Sequence, residues 1–161
     1  MKSTLACLFF TTTLATAAAA QTQDVGLYMD GGVLTVLYGQ ECGPVNCTPF
    51  LSGPVGAGET RSLTHFGAPV SFYAVALGLP GPCLSIPGFD NVLLLDSPLI
   101  LGFGLTSTPP FVPTPCQQGL AVETFTIPVG TPPGIVFRVQ SLGVSNSGAW
   151  AFGPAIEATT I

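Results

Sequence analysis

The stretch Ile135-Val136-Phe137-Arg138-Val139-Gln140-Ser141-Leu142 decides the fold class. In an extended chain Ile135, Phe137 and Val139 fall on one face and Arg138 and Gln140 on the other, the period of two that marks a half-buried strand. The stretch 121–127 repeats the pattern, with Phe125 and Ile127 on one side and Thr124 and Thr126 opposite. Working outward, the same reading predicts strands at 25–29, 33–38, 61–66, 92–95, 99–103 and 155–160. Asp30-Gly31-Gly32 supplies a hairpin turn between the first two. The run 70–77 is apolar on both faces, with Phe72 on one and Tyr73, Val75 and Leu77 on the other, which places it inside a sheet. Short apolar runs recurring about every ten residues predict an all-β antiparallel sandwich, Ig-like or jelly-roll-like, of about eight or nine strands.

Composition agrees. In 161 residues there are 20 glycines and 16 prolines, a density that breaks long helices. Charged residues make up only 7% against a hydrophobic 47%, so the chain is neither disordered nor built to bind nucleic acid. One domain is the expectation. The longest loop, at 106–115, is rich in proline and predicts extended geometry inside that domain.

Residues 1–20 carry Lys2, an apolar run from Leu5 and a small-residue stretch ending at Ala18 and Ala20. This is the pattern of a secretory signal peptide, with the domain spanning 21–161. Removing it removes the single lysine and leaves Arg61 and Arg138 as the fixed cations against eight acids, near −6. An acidic, export-directed chain repels nucleic acid and anionic membrane. No membrane insertion is expected, because nothing after the signal is apolar for long enough.

Four cysteines remain: Cys42, Cys47, Cys83 and Cys116. An even number behind a signal peptide predicts two disulfides, and three pairings are possible. Cys42–Cys47 with Cys83–Cys116 is favoured, because only Gly43-Pro44-Val45-Asn46 separates the first two. A metal site from these thiols and His65 lacks paired CxxC knuckles, so no metal or other cofactor is expected.

Four passages carry a resemblance: Tyr38-Gly39-Gln40-Glu41-Cys42, Pro82-Cys83-Leu84-Ser85-Ile86-Pro87-Gly88, Asn91-Val92-Leu93-Leu94-Leu95-Asp96, and the tail from Phe125-Thr126-Ile127-Pro128 through Phe137-Arg138-Val139-Gln140 to Ala155-Ile156-Glu157. Together they resemble the uncharacterised cysteine-containing β-rich modules found in exported proteins of planctomycete-type bacteria. The resemblance covers roughly residues 38–161. It implies a secreted β-sandwich and brings no catalytic residue with it.

Chemistry is sparse. His65 is the single histidine and shares a strand face with Leu63, which reads as structural. No G-x-S-x-G elbow is present, and a P-loop lacks its lysine. Glu59, Glu123 and Glu157 each have a strand position and suggest no paired-carboxylate cleft. Asp90 and Asp96 flank 91–95 and read as turn-capping residues, with calcium as the competing role. Trp150, Tyr28, Tyr38 and Tyr73 are the candidate aromatic platforms for a sugar. A threonine-rich exterior without lysine favours contact with neighbours, with proline expected to blunt the sheet edges. The sequence thus predicts a non-catalytic structural or adhesive protein of the cell surface, partnered by itself, by surface proteins or by glycans. A small carbohydrate-binding module is the alternative.

Overall fold

The computed structural model describes residues 23–31, 36–109, 116 and 118–161. The expected signal peptide at 1–20, positions 32–35 of the expected first hairpin and most of the proline-rich loop lie outside the described residues. The fold is the predicted β-sandwich. One sheet has four strands in the order β2-β1-β4-β7 and the other five in the order β3-β9-β8-β5-β6. These are β1 (Gly26–Asp30), β2 (Leu37–Gln40), β3 (Phe50–Leu51), β4 (Thr60–Gly67), β5 (Phe72–Leu84), β6 (Leu93–Leu105), β7 (Gly119–Thr126), β8 (Val136–Val144) and β9 (Trp150–Thr159).

The alternation read from the sequence positions the core. On β4, Arg61, Leu63 and His65 are buried while Thr60, Ser62 and Thr64 between them are not. Leu27, Met29, Leu63, Val75, Val139 and Ile156 meet between the sheets in the main apolar cluster. β5 is an internal strand, hydrogen-bonded to β6 on one side and β8 on the other, as its two apolar faces require.

Three elements differ from expectation. β3 spans two residues, too few to show any period, and pairs parallel with β9, so the sandwich is not wholly antiparallel. The expected strands at 92–95 and 99–103 are one strand, β6, carried through Asp96-Ser97-Pro98 with Ser97 at φ 49°. β5 likewise runs on beyond the expected 70–77, through Pro80-Gly81-Pro82. A side chain at Gly81 would meet the Leu95 carbonyl carbon at 2.5 Å, so the two backbones approach as only glycine permits.

The far end of the β5–β6 hairpin then folds back over the outer face of its own sheet. Asp90 N–H donates to the Trp150 carbonyl at 2.7 Å, and Phe152 N–H donates to the Asp90 carbonyl at 3.1 Å. This covers part of the face where Arg138 and Gln140 were expected to meet solvent. Gln140 Nε2 donates to Val92 and Gly153 carbonyls and its Oε1 accepts from Leu94 N–H. Both residues hold the fold-back in place.

The disulfides are Cys42–Cys116 and Cys47–Cys83, which corrects the pairing favoured above. Local spacing misleads here because the run after Cys42 is not a tight turn. Gly43 N–H is bound to the Gln23 carbonyl and Val45 is buried, so the chain passes from one sheet to the other between Cys42 and Cys47. Each bridge consequently stays with one sheet. Cys42 follows β2 and Cys116 precedes β7, the two edges of the four-stranded sheet, while Cys47 leads into β3 and Cys83 lies in β5. Two such bridges fit an oxidising environment.

Candidate functional site

Three ionisable side chains, Arg61, His65 and Tyr73, are buried. His65 is fully buried, its ring stacked on Tyr73 with centroids 5.4 Å apart. A Cβ at Gly143 would lie 2.6 Å from the imidazole, so glycine at that position makes the space the ring occupies. Neither ring nitrogen has a hydrogen-bond partner. Burial pushes the imidazole down to about 4, and the nearby Gly26 carbonyl offsets this only in part. The ring is therefore neutral and shut off from any substrate.

Tyr73, expected as a sugar platform, is instead a wall of this interior. Its hydroxyl donates to Glu123 Oε1 at 2.6 Å. Burial first, then the Glu123 carboxylate, pushes the phenol up to about 12. Glu123 lies across Gly102 of β6, where any side chain would collide with its carboxylate. Nothing in the sequence linked Tyr73 to Glu123, since they are 50 residues apart and on different sheets.

Both arginines are braces. Arg61, 4% exposed, donates to the carbonyls of Asp30 and Pro54 and pairs with Glu59 at 2.9 Å. Arg138 pairs with Glu157 at 2.8 Å and donates to the carbonyls of Gly81 and Leu94. On β5 the pairing with β8 ends at Gly78, and Arg138 supplies a donor beyond that point. The three glutamates weighed as acids are thus held by an arginine or by Tyr73.

The outer face of the five-stranded sheet is the reverse. Registers Phe72 with Leu105, Ala74 with Phe103 and Val144 with Trp150 set these side chains on one surface. Trp150 packs on Phe72 with ring centroids 5.5 Å apart. Phe103 is 70% exposed and Leu105 66%. The edge strand β6 carries register shifts against β5 between Val75 and Ala76 and again between Leu77 and Leu79. Such bulges disturb the flat edge another strand would need, a blunting that adds to the one expected of proline.

The aspartates separate. Asp90 is drawn beside Trp150 through its backbone, whereas Asp96, on β6, pairs with Leu79 of β5 and accepts from Ser97 Oγ at 3.3 Å. Among the described residues no three His, Cys, Asp or Glu side chains gather as a cation would need.

An apolar cleft of about 510 Å³ opens at one end of the sandwich, where β6 and the end of β7 diverge. Leu77, Leu99, Leu101 and Phe137 of the five-stranded sheet line it together with Phe125 and Ile127 at the end of β7. Sequence periodicity marks these residues as core and carries no sign that the core opens here. Set beside known proteins, the chain matches no family model, and no curated protein shows significant sequence similarity to it.

Proposed function

We propose that the chain is an exported, non-catalytic structural or adhesive module of the kind found in planctomycete-type exported proteins, and that it works through the outer face of its five-stranded sheet. The observation that carries this reading is the exposed surface of Phe72, Phe103, Leu105 and Trp150 on an acidic molecule whose arginines are both committed internally. A continuous apolar face on a secreted domain is energetically costly in water and gains by being covered. The sealed, neutral His65 supports the non-catalytic part of the reading. Light scattering with size-exclusion chromatography of the mature protein tests it. Association that grows with concentration and is abolished by Phe103→Lys is expected, and a strictly monomeric species at all concentrations overturns it.

Glycan binding is the second reading, favoured by one observation. The partly exposed Trp150 ring lies against Phe72, an aromatic platform of the kind a sugar stacks on. Retention on a glycan array that is lost in Trp150→Ala would favour this reading over assembly.

A further inference from the structure

We infer that the cleft between β6 and β7 is a binding site for a neutral molecule with an unbranched hydrocarbon chain. Three observations converge. First, the cleft is of ligand size, about 510 Å³, and its floor is the core itself, since Phe125, Ile127 and Phe137 are all buried members of the main apolar cluster. The slot has the depth of the sandwich interior, about 10 Å between sheets, which admits one layer of hydrocarbon.

Second, the polar groups at its rim are satisfied within the protein. Thr126 Oγ1 shares a hydrogen bond with Thr60 Oγ1 at 2.8 Å, and Thr131 Oγ1 donates to the Pro128 carbonyl at 2.7 Å. Thr160 Oγ1 donates to the Pro132 carbonyl at 2.7 Å and accepts from Ile135 N–H. A ligand is thus held by its chain, and its polar end projects into water.

Third, charge selects the headgroup. Among the described residues that line the cleft, none is charged. Arg61 and Arg138 are tied to Glu59 and Glu157, and the chain as a whole is acidic at −5. A carboxylate at the mouth would find no counter-ion and would meet a repelling field. A fatty alcohol or neutral acyl ester escapes both penalties, whereas a free fatty acid does not.

The test uses the mature protein with the neutral dye N-phenylnaphthylamine and measures its displacement by n-alkyl alcohols and by the carboxylates of equal length. Alcohols displace the dye saturably, and each added methylene tightens binding about fourfold until the slot is full. The matching carboxylates bind at least about tenfold more weakly at neutral pH, a gap worth about 1.4 kcal/mol. Two lip residues are exposed enough to change without disturbing the fold, Leu99 and Ile135. Ile135→Glu abolishes displacement, and Leu99→Lys moves the preference toward the carboxylate. Phe103→Lys, on the outer face, leaves dye binding intact, which separates this site from the proposed assembly surface. The inference is overturned if no ligand displaces the dye saturably, if Ile135→Glu binds like the parent, or if carboxylates match alcohols. It is equally overturned if Ile135→Glu dissociates a dimer, because a second copy then fills the cleft.

Discussion

The interior near β4 and the outer face of the five-stranded sheet exchange the usual roles of inside and outside. Inside lie His65, Arg61 and the Tyr73–Glu123 hydrogen bond, and outside lie Phe103, Leu105, Phe72 and Trp150. With 7% charged residues the chain has no surplus for a solvating coat. It uses its arginines to bind the carbonyls of Asp30, Pro54, Gly81 and Leu94 in the interior, where an unmet acceptor is costly. The comparison teaches that the charges of this protein hold its walls together, while its exterior is left to neutral and apolar groups.

If the polar interior depends on walls held shut, the largest effect comes from the bridge joining the ends of the two edge strands of the four-stranded sheet. Cys42→Ser with Cys116→Ser, which opens a link between residues 74 apart, is expected to cost about 4 kcal/mol in urea unfolding. The pair Cys47→Ser with Cys83→Ser, 36 apart, costs somewhat less. Peptide mapping without reduction must recover the 42–116 and 47–83 pairs, and recovery of 42–47 would break the account of how the chain crosses between sheets.

Acid probes the interior next. The His65 pKa is near 4 in the folded state and 6.5 unfolded, so the unfolded chain takes up the proton first. Its contribution to stability is complete above about pH 6.5 and declines as pH falls toward 4, a loss of about 3 kcal/mol. His65→Gln should flatten that part of the stability profile, and an unchanged slope would show that the ring is not buried neutral. At the alkaline end, the raised phenol of Tyr73 predicts stability lost as pH climbs from 10 toward 12, and Tyr73→Phe removes this dependence.

Arg61→Ala is expected to cost about 2 kcal/mol, because the carbonyls of Asp30 and Pro54 lose a donor and Glu59 its partner. The smallest effect on stability belongs to the outer face. Phe103→Lys should change unfolding free energy by no more than about 0.5 kcal/mol. A large loss there would show that Phe103 is a packing residue and would erase the contrast between the two regions.

Much of the architecture was legible because strand period is a local property. Leu63 and His65 on β4, and Phe137 and Val139 on β8, announce their buried face through neighbours two positions away. The candidate site was far less legible. Tyr73 looked like a platform because its burial comes from His65 and Glu123 on the opposite sheet. Arg138 and Gln140 looked solvent-facing because the segment that covers them arrives from about 45 residues upstream along the chain.

By itself the sequence determined the all-β class and the alternation of strand faces, since both follow from spacing along the chain, and it supplied the four cysteines beyond residue 20. Tertiary structure alone decided which cysteines meet, where the hairpin folds back and where the core lies open between β6 and β7. Those outcomes depend on which strands become neighbours, and that choice is made by the summed packing of distant segments, which no local pattern encodes.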